Sequence, residues 1–562
     1  MSESDEFYAL ARELREGQLG RGDGSPEMAP LLAEAKAFVS LSFDRLRTSS
    51  KAGTDDESNS NARVEVILET LVTMNALSTS LAAIGLLAEG TEIVRFLCDV
   101  VLREPETFDG VLHTIPMLDA LDLLSKMSQH RRAAKKMLRH GLIEVFANHL
   151  LRSFLKELES EVEADPEKFR ALVEQTPADD VQAREYGSER RVASTSPLLC
   201  YQKLCGALYV FCLRSDAASR ELLGVPALTF AMRLIGAILK YYQEEELEAS
   251  EYTLPRLEVT NTLMASALAV LLACCRTKGG CVAVVEADAL QLLGRILSLF
   301  IDQVETSPIS VEVGVLTCAL LTALFASPVR AFEPTRFAEV KFHHALLRLM
   351  RQATRPRDRP IYRCALSSLT EILTVQGSKN VVSTIQYLQT AATPPCETPD
   401  ELFMLLRESL EFHTDDSEAM LFFAVLVHLL CGKGRRDGVQ SAMRERMLQE
   451  RFGDILLDAW RKHADPEVKR ECILALAALV NVRRPTTQVF FTVSSRATDY
   501  AVQFNRENKY PECRQACKEL LRALGHRDGM DRVQGMLYGL LFTGCGLGIV
   551  LVVRLAIAWF VR

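Results

Sequence analysis

From Val64 through Leu524 the apolar residues keep one rhythm, recurring three and four positions apart as in VILETLVTMNALSTSLAAIGLL and LDALDLLSKM. That spacing puts them on one side of a 3.6-residue turn and predicts amphipathic helices. Gly, Pro, Asp and Ser fall between these runs, and few stretches alternate with period two for long enough to support a sheet. The fold class is therefore all-α. Ahead of this region, residues 1–20 form a short amphipathic pattern (Phe7, Leu10, Leu14) that the Gly-rich GRGDGSP ends. MAPLLAEAKAFVSLSFDRL predicts a second helix, and the polar RTSSKAGTDDESNSNAR predicts a disordered loop. The last stretch differs from all of these. Gly535 to Val553 carries no charged side chain, and only Arg554 and Arg562 follow. A hydrocarbon core about 30 Å thick takes roughly 20 apolar residues as a helix, so 535–562 predicts one C-terminal transmembrane helix. Trp559 suits an interfacial belt, and Arg554 can snorkel to the headgroups. The competing expectation is a buried C-terminal helix of a soluble domain, but buried helices seldom stay apolar all round for this length.

The helices recur as a unit: an Ala/Leu-rich helix, a short polar turn, a second helix, a small-residue break, then a third apolar helix. The clearest copy, LDALDLLSKMSQHRRAAKKMLRHGLIEVFANHLLRSF, breaks at His140-Gly141. CGALYVFCLRSDAASRELLGVPALTFAMRLIGAIL breaks at Gly224-Val225-Pro226, and SALAVLLACCRTKGGCVAVVEADALQLLGRILSLF at Ala287-Asp288-Ala289. Weaker copies follow in ALLTALFASPVRAFEPTRFAEVKFHHALLRLMRQ and in the stretch from Leu421 to His463. This pattern resembles the armadillo repeat, whose three helices turn at a Gly between the second and third. DPEVKRECILALAALVNV is similar to the related HEAT unit, with Asp465 placed as N-cap and Pro466 at the first helical position. The resemblance implies an irregular armadillo/HEAT-like, right-handed α-solenoid over 64–524, whose long groove suits a protein partner. Inserts at 156–197 and 241–257 are expected as surface loops, and 376–400 as a break between two halves. Residues 1–63 form the N-terminal region, 525–534 a linker and 535–562 the anchor.

Composition narrows the function class. A net charge of −8 gives no general attraction to nucleic acid. The fifteen cysteines are scattered, without C-x-x-C spacing, which points to reduced thiols in the cytosol. MSESDEFYALARELREG has neither an apolar leader nor an Arg-rich transit pattern, so targeting is expected in the tail. With Arg562 as the last residue, the expectation is a tail-anchored protein with its solenoid in the cytosol. The glycines and Arg554 lower the tail's hydrophobicity, which favours the mitochondrial outer membrane over the endoplasmic reticulum.

No H-E-x-x-H, P-loop, G-x-G-x-x-G or G-x-S-x-G is present, and the adjacent His343 and His344 face different sides of a helix. The expectation is a non-enzyme with no metal and no cofactor. Two basic clusters are candidate contacts for a protein partner or for lipid. One is Arg131, Arg132, Lys135, Lys136 and Arg139; positions 131, 135 and 139 share a helical stripe. The other, RQATRPRDRPIYR, carries Arg351, Arg355, Arg357, Arg359 and Arg363, with Pro356 and Pro360 predicting a turn. Neither has the interleaved aromatics that nucleic-acid binding uses. Armadillo-type nuclear import adaptors use recurrent Trp along their third helices; Trp460 is the only one before the tail, which argues against that role. In the tail, Gly535/Gly539 and Gly544/Gly548 have G-x-x-x-G spacing, and Gly539, Thr543 and Gly546 share a face that would allow a homodimer. The expected function is a tail-anchored adaptor or scaffold that recruits protein partners to an organelle surface, as a receptor or assembly factor for membrane proteins. The alternative is a self-associating tether or organelle shape factor.

Overall fold

The computed structural model describes residues 115–159, 166–176, 196–222, 226–244, 254–302, 310–327, 358–375, 399–431, 438–481, 488–507 and 510–525, with isolated positions at 30–44, 71–74, 91–97 and 342–353. Among these residues there are helices and turns and no strand. The chain divides into two compact units, Met1–Gln352 and Ala353–Arg562.

In the first unit, α1 (Ile115–Ser128) and α2 (Arg131–Arg139) lead into α3, which runs through Leu142–Val145, a π-helical segment Phe146–Leu151 and Arg152–Glu157. Then come α4 (Pro166–Gln175), α5 (Pro197–Arg214), α6 (Asp216–Leu222), α7 (Ala227–Glu244), α8 (Leu254–Cys274), α9 (Lys278–Glu286), α10 (Ala289–Asp302) and α11 (Val311–Ala326). The long helices α1, α5, α8 and α11 pack on one another in that order, while α3, α7 and α10 make a second row. Each repeat therefore leans on its neighbours in sequence, which is the stacking of an α-solenoid. The breaks fall where the sequence places them. Gly141 turns between α2 and α3 at φ +72°, and Asp288 turns between α9 and α10 at φ +58°. Asp tolerates that left-handed conformation better than most side chains. Part of the 156–197 stretch, expected as loop, is the helix α4, whose buried Phe169 packs edge-on against Tyr241 of α7.

The second unit contains α12 (Arg359–Val375), α13 (Pro399–Glu411), α14 (Ser417–Cys431), α15 (Gly438–Gln449), α16 (Phe452–Lys462), α17 (Pro466–Val480), α18 (Gln488–Glu507) and α19 (Cys513–Ala523). Here α12, α14, α17 and α19 pack in succession, with α15, α16 and α18 behind them. Asp465 caps α17 as expected: its carboxylate accepts from the Glu467 amide at 2.8 Å, with Pro466 next. Asp416 does the same for α14, accepting from the amides of Glu418 and Ala419.

Among the described residues one stretch is long and apolar enough to cross a membrane, Arg256–Cys274, with mean hydropathy 1.7. It is most of α8, 72% buried and packed against α5, α7 and α11, so its apolarity is that of a core helix. The predicted anchor at 535–562 lies outside the described residues.

Candidate partner-binding surface

Four helices, α5, α14, α16 and α17, are held near their C-terminal ends by cations from elsewhere in the chain. A helix leaves its last carbonyls unpaired and its C-terminus partially negative, so a cation there satisfies both. Arg276, just past α8, donates to the carbonyls of Cys212 and Leu213 near the end of α5, at 3.0 and 2.8 Å, and to Asp216 at 3.0 Å. Arg444 in α15 donates twice to the Cys431 carbonyl that ends α14, at 3.1 and 2.6 Å, and once to the Asn481 carbonyl beyond α17, at 2.9 Å. Lys469 is buried in α17 and donates to the Trp460 carbonyl near the end of α16 at 2.9 Å. Its ammonium also lies 5.9 and 5.8 Å from the Phe504 and Tyr510 rings. Burial pushes the Lys469 amine below the usual lysine range, against the opposing pull of Cys513 and Cys472.

These ties set out two open helix faces. In the first unit the half-exposed positions include Gln202, Gly206 and Tyr209 of α5, Thr262, Ser266 and Leu272 of α8, and Val315, Ala319 and Ala323 of α11. They repeat at helical spacing and are mostly small and uncharged. Asn261 links α8 to α11 by accepting from the Ser310 amide at 2.7 Å. In the second unit Leu421, Phe422, Val425 and Leu429 of α14 lie half-exposed beside Leu474 and Ala478 of α17. Ion pairs rim that apolar strip. Arg363 of α12 reaches Asp416 at 2.7 Å and Glu418 at 2.6 Å. His428 Nδ1 lies 3.7 Å from Glu471, and Arg470 pairs with the same carboxylate at 2.9 Å. The neighbouring His428, helped by Arg470 and opposed by burial, holds Glu471 below the usual glutamate range.

The basic cluster expected at 131–139 is α2 itself. Arg132, Lys135 and Arg139 are exposed and Lys136 half-buried, while Ala133, Ala134 and Met137 are buried beneath them. The second cluster is only partly described. Arg359 opens α12, so the helix begins within the predicted turn and takes Pro360 into its first turn. Arg351, Arg355 and Arg357 lie outside the described residues, as do His343, His344 and the tail positions Gly535, Gly539, Gly544, Gly548, Arg554, Trp559 and Arg562. The structure places α2 and Arg359 in separate units. The described cysteines are free, and burial pushes most of their thiols up, Cys205 and Cys431 to about 12.

What the sequence did not announce is the cluster around Trp460. The indole packs edge-on against Tyr500 and Phe504, at 4.5 and 5.3 Å between centroids, and Phe504 stacks on Tyr510 at 6.3 Å. These rings come from α16, from α18 and from the residue stretch just after α18, and the contact of α16 with α18 assembles them.

No protein-family model matches the chain, and no curated protein matches it. Among solved structures, the SYS-1/POP-1 complex aligns over 92% of this chain and 99% of the matched one, at 12% identity and a TM-score of 0.24. SYS-1 alone aligns over the same shares at 11% identity and a TM-score of 0.18. Likeness at that level is too slight to carry an argument about either fold or function.

Proposed function

We propose that this protein is a membrane-anchored adaptor, held on an organelle surface by its C-terminal apolar run and binding a protein partner through an open face of its stacked helices. The observation that carries the reading is the strip on α14 and α17: Leu421, Phe422, Val425, Leu429 and Leu474 lie half-exposed between Arg363–Glu418 and Arg470–Glu471. An apolar centre with a charged rim is the usual anatomy of a protein interface. The anchor rests on 535–562, whose length and composition suit a bilayer span, and the tail's glycines and arginines favour the mitochondrial outer membrane.

Two experiments test the two halves. A photoreactive phenylalanine analogue at Phe422 in cells should give discrete crosslinked species that Val425→Arg abolishes, while the same analogue at Phe491, 59% exposed on α18, gives none. Equal crosslinking at both positions would remove the strip from consideration. A fluorescent protein carrying only 526–562 should decorate mitochondria and resist alkaline extraction; a diffuse, extractable signal would remove the anchor.

The second reading, a self-associating tether, draws on the tail's paired G-x-x-x-G spacings. Full-length oligomers that Gly539→Leu with Gly546→Leu disperses, together with no crosslink at Phe422, would favour it.

A further inference from the structure

We infer that the exposed face of α2 is a docking strip for an acidic segment of a partner protein. This rests on the adaptor reading but uses a different surface, in the other unit from the α14–α17 strip.

α2 concentrates charge of one sign. Its nine residues, RRAAKKMLR, include no acidic side chain, and Arg131 and Arg132 occupy the first turn. Cations there oppose the helix dipole, whose N-terminus is partially positive. The N-cap, His130, makes no side-chain capping bond, and only Lys136 and Arg139, in the last turn, stand where the dipole favours a cation. Positions 131, 135 and 139, and 132 and 136, are also four apart, a spacing at which like charges repel. Other arginines of the same unit have acidic partners: Arg170 and Arg256 pair with Glu174, Arg233 with Glu159, and Arg276 with Asp216. Among the described residues Arg132, Lys135 and Arg139 have none. A helix held in place by Ala133, Ala134 and Met137 beneath it thus presents a row of unneutralised charge to solvent.

The shape of the row selects the occupant. From Arg132 to Arg139 is about 10 Å along the axis, one helix wide. An extended chain carries same-side residues about 6.6 Å apart, so two or three acidic side chains can meet this row. A bilayer would engage a broad basic surface or an inserted apolar edge, and here the apolar side of α2 is buried. A short acidic segment complements the sign and the narrow width of this row.

The test uses the full chain in phosphatidylcholine nanodiscs and a fluorescent twelve-residue peptide of alternating Glu and Ser, read by anisotropy at low salt. The triple charge reversal R132E, K135E and R139E should weaken binding at least tenfold and create binding of the corresponding Lys/Ser peptide. Reversing Arg514, Lys518 and Arg522, exposed on α19, makes the same change in net charge and should leave the affinity within twofold. Equal losses from both reversals would show that only overall charge matters and would overturn the proposal. So would unchanged peptide affinity in the α2 variant with loss of binding to added phosphatidylserine vesicles, an outcome that would assign the strip to lipid. Either failure leaves the Phe422 crosslink standing, so the docking strip and the adaptor reading fall separately.

Discussion

The central helices of the two units, α8 and α17, solve the same structural problem and present different surfaces. Each is flanked in its row by two long helices, and each lies beside an arginine that ties off C-terminal carbonyls: Arg276 for α5, Arg444 for α14 and the end of α17. The open edge of α8 is Thr262, Ser266 and Leu272, small or neutral; that of α17 is Arg470, Glu471 and Leu474, charged around an apolar centre. The inside differs as well. α8 satisfies its buried Thr260 with Tyr242 of α7 at 2.6 Å, whereas α17 buries the amine of Lys469 among aromatic rings. A shared device for ending helices leaves the exposed face free to vary, and the second unit is where that freedom produced a patterned surface.

The largest way to break the comparison is at Trp460. Its side chain is fully buried, and two rings of α18 pack edge-on against it. Trp460→Ala should lower stability by about 3–5 kcal/mol, the range for truncating a buried aromatic. Denaturant unfolding followed by circular dichroism measures it; a loss below 1 kcal/mol would show that the cluster is peripheral to the unit.

Next are the two arginines. Arg444→Ala removes three bonds to the ends of two helices and should cost about 2 kcal/mol, since hydrogen bonds from a charged group each contribute more than neutral ones. Arg276→Ala should cost less, about 1 kcal/mol, because its Asp216 partner is 77% exposed and that pair is screened by solvent. Lysine at either site should recover only part of the loss, as it lacks the fork that reaches two carbonyls. Equal costs for the two alanine variants would mean that neither exposure nor the number of helix ends tied decides what such an arginine contributes.

Lys469 sharpens the contrast through pH. Its folded pKa is lowered from 10.5, so between that lowered value and 10.5 the unfolded chain binds more protons than the folded one. Stability therefore rises with pH across that window and is reduced below it. Lys469→Met should abolish this rise. Near neutral pH the Trp460 carbonyl loses its donor, a cost of about 1 kcal/mol set against relief from burying the charge. A variant that keeps the wild-type pH slope would assign the slope to another group.

The sequence was legible wherever structure depends on neighbours in the chain. The turn at His140-Gly141, the break at Asp288 and the Asp465-Pro466 cap all follow from local backbone chemistry, and each stands where the residues placed it. The α2 strip was legible too, since its spacing and its charge lie within nine residues. Arg276, Arg444 and Lys469 were not. Arg276 acts on carbonyls 63 and 64 positions away, and nothing in RTKGG distinguishes a helix-capping arginine from a solvated one. The turn at Arg451, at φ +67°, was equally hidden, because tertiary packing holds there a conformation that the side chain does not favour. The α14–α17 strip needed packing as well. Leu421 and Leu426 read alike in sequence, and only the neighbouring helices decide that the first is half-exposed and the second buried.

The smallest expected effect bears on where a partner sits. Gly206 lies inside α5 on the open face of the first unit, and a Cβ added there meets nothing within 4 Å. Gly206→Ala should therefore raise stability by about 0.5–1 kcal/mol, the entropic cost of glycine in a helix. Gly280 shows the opposite case: its Cβ would stand 1.8 Å from the Cys274 carbonyl oxygen, so there the glycine is required. Nothing in the fold requires glycine at 206. If a partner used the first unit's face, the methyl would intrude on the contact, and crosslinking in cells would fall as stability rose. If the second unit's strip is the binding face, Gly206→Ala should leave the Phe422 crosslink unchanged while raising the unfolding midpoint.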